Sequence, residues 1–213
     1  PQEGGRPSRG PQMIGTIITL VLLAVLAGVT GMLVREGLWR AMLMLFNLLV
    51  AASIATAWFA PLANLLERSL GSYTYLLDFL SIWLIFCVVI AALREASDRL
   101  SPAPIEFPLL VERIGVGIPA FLAGWVMMAF TATTLHLAPV PRDMVQPTPE
   151  ARMFLGLAPD RKWLSWVRGC SRSGPFSRGL EGPFFDKDAD LILRYATRRK
   201  KLEAEPGLRV ASP

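Results

Sequence analysis

The chain has 213 residues, of which 53% are hydrophobic and only 18% charged, and its mean hydropathy is +0.43. A soluble domain of this length intersperses its charges, but here the apolar residues crowd into the part before residue 140, so composition argues against an ordinary soluble domain and for the membrane class. The net charge of +5 and pI near 9.7 would also suit nucleic acid, yet the basic residues sit in short loops and the C-terminal part, a placement that fits membrane topology and anionic lipid.

Residues 1 to 12, PQEGGRPSRGPQ, have nothing to bury and read as a disordered lead, with Met13 a candidate start. From Met13 to Val34 there is no charge. At 1.5 Å per residue about 20 apolar residues cross the ~30 Å hydrocarbon core, so the run predicts a spanning helix. A cleaved signal peptide is the rival reading, because Arg6 and Arg9 precede the run; its length and the spans that follow favour an anchor. The second span covers about 38–62, with Pro61 near its exit and Trp39, Trp58 and Phe59 close to its ends, where aromatic rings suit the bilayer interface. The third covers 73–93 and the fourth 114–138. Four spans leave both termini on the same side.

The connections are short until the third, where Pro102, Pro104 and Pro108 forbid a continuous helix. Residues 141–213 predict an extramembrane tail, partly helical or disordered. Two helices are expected in it. DRKWLSWVRG, Asp160 to Gly169, pairs Trp163 and Trp166 with arginines and suits an interface-lying helix or partner contact. The stretch from Asp186 to Glu205 begins acidic and ends basic, as the helix dipole favours, with Leu191, Tyr195 and Leu202 near one face. The expected fold is therefore all-α, an integral membrane bundle of four transmembrane helices with a C-terminal tail.

Small residues recur at helical spacing within the spans: Ala24 with Gly28, Ala27 with Gly31, Ala51 with Ala55, Ser53 with Ala57, Ala120 with Gly124. Lipid supplies no hydrophobic drive between helices, so close approach through small side chains is the expected packing device. Pro119 removes a backbone donor early in the fourth span and predicts a kink there.

An apolar span, then Gly31, then REGLWRA leading into a second span rich in small residues, resembles the CvpA (colicin V production protein) family. Arg35, Gly37 and Arg40 stand at the family's basic-glycine-basic positions, although Ala41 replaces the acidic residue that often follows. VERIGVGIPAFLAG resembles the opening of the family's last span: Glu112, Arg113 and Gly124 fit, while Val116 and Ala120 stand where glycine is expected. The resemblance covers roughly residues 13 to 138. It implies a small bacterial inner-membrane protein of four helices, associated with colicin V production or export, with no defined enzymatic activity.

Arginines near the spans divide evenly between the two sides, so the positive-inside count is a tie. Without Arg6 and Arg9, the side holding Arg35, Arg40, Arg94, Arg99 and Arg113 prevails, and the resemblance points the same way: loops one and three cytoplasmic, the tail periplasmic.

The inventory of reactive groups is thin. His136 is the only histidine, and Cys87 and Cys170 are the only cysteines, so neither a histidine-rich nor a four-thiolate metal site is expected, and no cofactor or small-molecule substrate is indicated. Cys87 reads as a packed hydrophobe and His136 as an interfacial residue. Asp78, about five residues into the third span, is either an interfacial carboxylate eased by the helix dipole or an ion or proton relay. Asn47 is expected to hydrogen-bond another helix, and a contact between Asn47 and Asp78 in the bundle core is one arrangement. The partners indicated are the bilayer, a second copy or a larger membrane assembly; no RNP-like or OB-like strand pattern accompanies the basic residues. A non-enzymatic membrane scaffold or anchor is the function expected, and a subunit of a small oligomeric transporter or channel, with Asp78 and the Pro119 kink lining its path, is the alternative.

Overall fold

The computed structural model describes residues 9–68, 74–101, 107–138, 152–173 and 185–204. Residues 1–8 of the expected lead, Tyr73, Pro102 and Pro104 lie outside them. The helices are α1 (Arg9–Glu36), α2 (Leu38–Glu67), α3 (Thr74–Leu100), α4 (Leu109–Gly115), α5 (Gly117–Leu135), α6 (Pro159–Ser173) and α7 (Leu191–Ala204), and the described residues contain no strand. Gly15–Glu36, Leu38–Glu67, Leu76–Leu100 and Leu109–Leu135 are long and apolar enough to cross a bilayer, as a multi-pass membrane protein requires.

The helices overrun the apolar runs that announce them. α1 begins at Arg9, α2 continues through Pro61 to Glu67, and α3 carries on past Leu93 to Leu100. Backbone hydrogen bonding has no reason to stop where hydrocarbon ends, and only a breaker or a cap stops it. Ser101 ends α3, and Pro108 sits at the N-cap of α4, where its missing N–H costs nothing. The fourth span is two helices parted at Val116. Pro119 accounts for the break: it cannot donate to the Gly115 carbonyl, and its ring crowds that same carbonyl.

Among the described residues, α2 and α3 are the consecutive spans that pack extensively on each other, whereas α1 and α2 barely touch. α1 lies chiefly against α5, α5 also against α2, and α2 against α3, so the helices run α1, α5, α2, α3 across the bundle. Ala51, Ala55 and Ala120 are fully buried, and they let the backbones of α2 and α5 come close. Gly124 is tighter still: a Cβ there would lie 2.8 Å from the Leu26 carbonyl oxygen and also against Thr30 Oγ1, so α5 meets α1 backbone to backbone. The expectation differs for the rest of the stripe. Ala24, Gly28 and Gly31 are exposed on α1, with nothing within 4 Å of a Cβ built at either glycine, because α1 turns the opposite side, through Leu22, Leu26 and Leu33, to its neighbours. Cys87 likewise faces outward and is not packed.

One residue separates α1 from α2. Gly37 has φ 94° and ψ 167°, a conformation essentially closed to residues with a Cβ. The turn delivers the Leu38 N–H to Glu112 Oε1 at 2.7 Å, so a carboxylate from α4 satisfies an orphan donor at the start of α2. Two side-chain bonds then clamp α2 to α3: Trp39 Nε1 donates to Ser101 Oγ at 2.9 Å, and Asn47 Nδ2 to Ser97 Oγ at 3.0 Å. Asn47 thus bonds a neighbouring helix, but not near Asp78. Ser97 is nineteen residues along α3 from Asp78, about 28 Å at helical rise, so the two groups sit near opposite ends of the bundle.

Candidate functional site

The polar groups with the deepest burial gather where the C-terminal segment returns to the bundle. The chain reverses just before α6, with Phe154, Leu155, Gly156 and Ala158 all at positive φ, between 47° and 83°. For the non-glycine residues this conformation costs roughly 1–2 kcal/mol each. Two bonds close the turn, Leu157 N–H to Phe154 O at 3.0 Å and Ala158 N–H to Met153 O at 3.1 Å. Its product is burial: Met153, Phe154 and Ala158 are all pressed into the bundle, Phe154 against Leu22, Met128 and Ala132.

α6 follows at once. Pro159 takes the first helical position, which suits its fixed φ, and Asp160 lies in the first turn, where the helix dipole favours a carboxylate. The amphipathic pattern Trp163, Leu164, Val167 buries one face against α5 and α2, while Lys162, Ser165 and Trp166 stay exposed.

Asp160 is fully buried. Its Oδ2 lies 3.0 Å from His136 Nε2, at the C-cap of α5, with side-chain exposures of 1% and 6%. A proton on Nε2 makes this a hydrogen bond that the carboxylate accepts, charge-assisted in either protonation state of the ring. Thr133 Oγ1 donates to the Ala129 carbonyl at 3.0 Å and lies 3.5 Å from the Asp160 carbonyl. One turn on, Trp163 Nε1 donates to Thr56 Oγ1 at 3.0 Å, and Thr56 Oγ1 donates to the Ala52 carbonyl at 2.7 Å. The indole also meets Phe130 edge-on at 6.3 Å, which continues into Phe86 and Trp83 of α3, and Lys162 Nζ stands 5.5 Å over the Trp125 ring. Thr56 is eleven residues from the end of α2, so the Trp163 contact is made about 16 Å along from that terminus. α6 is therefore set into the flank of the bundle and not laid over its end.

One acceptor in this seam is unmatched. Asp160 Oδ1 is buried without a hydrogen-bond partner. Leaving such an atom unsatisfied costs about 1–3 kcal/mol, more when it is charged. The hydroxyls of Thr56, Thr133 and Thr134 donate to backbone carbonyls, and among the described residues no three His, Cys, Asp or Glu side chains come together to hold a metal.

The sequence-derived candidates fall elsewhere. Asp78 is buried near the start of α3, three residues before Ser81, whose buried Oγ is unpartnered. Gly37 and Glu112 form the cap of α2; Arg35, Arg40 and Arg113 are exposed. Pro119 is buried at the α4–α5 break. His136 is buried against a carboxylate 24 residues away, and no local pattern announces such a pairing. Trp163 carried the better signal, a tryptophan on an amphipathic face that needed both an apolar bed and an acceptor.

On the far side of the tail, Asp186 Oδ1 accepts from the backbone N–H of Asp190 at 3.0 Å and of Leu191 at 3.1 Å, capping α7. Burial pushes its carboxyl above the usual carboxylate range, partly opposed by those two bonds. Leu191 is buried and Tyr195 meets Phe59 of α2 at 6.0 Å, so α7 also leans on the bundle.

Comparison of the chain with family models, curated proteins and solved structures finds no match.

Proposed function

We propose that this protein is a CvpA-like membrane scaffold whose four-span bundle holds its C-terminal segment in a set position against the membrane. The observation that carries the reading is the buried seam of His136, Asp160, Thr56 and Trp163, through which α6 is set into the bundle by specific polar contacts and not by apolar burial alone. A merely tethered tail needs no such seam. Two positions that prompted the family resemblance also have a structural use here, Gly37 for the turn and Glu112 for the cap of α2, which supports the resemblance.

In this reading the bilayer is an inner membrane, loops one and three face the cytoplasm, and the tail faces the periplasm. The outward stripe of Ala24, Gly28 and Gly31 is available to a second copy or to a larger membrane assembly. The protein is non-catalytic and contributes position to whatever bacteriocin-export or envelope machinery it joins.

The second reading, a transport subunit, draws on the buried Asp78 and on Asp160 with its unmatched oxygen. Reconstitution of the full chain into liposomes holding a pH-sensitive dye separates the two. A scaffold gives no proton flux above empty liposomes across an imposed gradient; flux that falls in Asp78→Asn or Asp160→Asn overturns the scaffold reading. Protease access to a tag at residue 213 in spheroplasts tests the orientation, with cleavage expected and full protection against it.

A further inference from the structure

A groove of about 280 Å³ opens on the flank of the bundle between α2 and α6, and its position follows from how α6 is docked. α6 packs mainly on α5 and touches α2 lightly, with the Trp163–Thr56 bond as a polar link between them, and the residues of α6 beyond that bond leave a gap. One wall of the gap is α2 from Phe46 to Trp58. The other is the edge of α6 formed by Trp166, Val167, Cys170 and Ser171.

The α2 wall lies at hydrocarbon depth wherever the bilayer settles. The uncharged part of α2 runs from 41 to 66, between Arg40 and Glu67, and every stretch of about 20 residues within it, the length that crosses the core, contains residues 47–60. Apart from Phe46, the whole wall falls in that interval. The α6 edge suits the same surroundings. None of its four residues is charged, and with 3.6 residues per turn Arg161, Arg168 and Arg172 stand more than about 120° around the helix from its centre, while Lys162 is turned to Trp125 of α5.

The size of the groove selects its occupant. Spread over the roughly 18 Å from Phe46 to Trp58 at helical rise, its volume leaves a section of about 16 Å², or about 4 Å across. A helix, about 10–12 Å wide with its side chains, does not enter such a space. A single hydrocarbon chain does, because carbon atoms make contact at about 3.5–4.0 Å, and an empty groove would forfeit the dispersion contacts of both walls. We infer that the groove seats one acyl chain of a membrane phospholipid, which completes the contact between α6 and α2. Covered by α6, this chain differs from those of the surrounding lipid layer, and Trp58 and Trp166, each about half exposed, offer it a ring from either wall. The inference needs only that the bundle sits in a bilayer, and it stands whether the bundle serves as a scaffold or in transport.

The test places the full chain in liposomes of phosphatidylethanolamine and phosphatidylglycerol that carry a trace of phospholipid with a diazirine midway along one acyl chain. The protein is then moved into detergent, irradiated, and its adducts mapped by peptide mass spectrometry. Detergent replaces the loosely held lipid, so labelling of Leu84 and Val88, exposed on α3, gives the background. Labelling both within 46–58 and within 166–171 is expected to exceed that background by about fivefold or more. Ala57→Phe, which puts a ring into the groove, should lower the groove signal by about fivefold or more, the low end of what overpacking costs, whereas Leu84→Phe leaves it unchanged. Equal labelling of groove and α3 means loose lipid contact only and overturns the assignment, as does labelling confined to α2 or indifference to Ala57→Phe. Absence of groove labelling together with a dimeric mass in native mass spectrometry overturns it in favour of a second copy on this face, and absence with a monomeric mass overturns it outright. The wild-type comparison decides even if a variant unfolds.

Discussion

Removing His136 should loosen α6 more than removing Asp160, although the two form one pair. His136→Ala leaves a fully buried carboxylate with neither oxygen partnered, because Oδ1 has no partner even in the intact protein. Breaking a buried ion pair in this sense costs about 3–5 kcal/mol. Asp160→Ala removes the unmatched oxygen together with the matched one and leaves an imidazole short of one acceptor, a cost of about 1–3 kcal/mol. The difference, about 2 kcal/mol, corresponds to roughly thirtyfold in the equilibrium for detaching the helix. The double variant should fall below His136→Ala alone in severity, since it has no buried charge to strand. Amide hydrogen exchange across α6, in the full chain in detergent, reads the opening equilibrium directly while protection in α2 and α5 reports whether the bundle survives. If Asp160→Ala proves as damaging as His136→Ala, or the double variant exceeds both, then the unmatched oxygen is not the weak point of the seam and the reasoning fails.

Gly37→Ala should lower stability by about 2–4 kcal/mol, combining a forbidden backbone conformation with displacement of the capping carboxylate, since a Cβ there would stand 2.6 Å from Glu112 Oε1. Denaturation in mixed micelles measures it, and a loss no larger than that of Glu112→Gln would mean that only the cap matters. Gly124→Ala should destabilise by about 1–3 kcal/mol through overpacking against α1, whereas Gly28→Ala and Gly31→Ala should be neutral or gain up to ~1 kcal/mol of helix propensity. The same melts decide between them, and equal losses at all three would show that α1 buries its small-residue stripe after all. For Asp186, burial raises the folded-state pKa above its ordinary 3.8, so its contribution to stability is full below that value and fades as pH rises through the raised one. Carboxyl NMR should place its midpoint above 3.8, and Asp186→Asn should flatten the loss of α7 protection over that interval; a midpoint at or below 3.8 contradicts the burial argument.

Much of this architecture could be read from residue order alone, because a bilayer imposes a one-dimensional code. The lengths of the apolar runs determined four spans, and Pro108 and Pro119 marked where helix must start or break, since a missing N–H acts on the local ladder whatever surrounds it. Helix ends were less legible: charged residues such as Arg94 and Asp98 end an apolar run without ending a helix. Which face of a helix meets a neighbour was not legible at all for α1, where Ala24, Gly28 and Gly31 have the spacing of a packing stripe but point away from α5. Spacing defines a face, and only the positions of the other helices decide whether that face is covered. The candidate site lies wholly in this second class. His136 and Asp160, or Thr56 and Trp163, 107 residues apart, become partners only when α6 folds back into the bundle. Hydropathy and breakers act through the chain itself; pairing between distant side chains acts through space, and tertiary packing alone brings those side chains within reach.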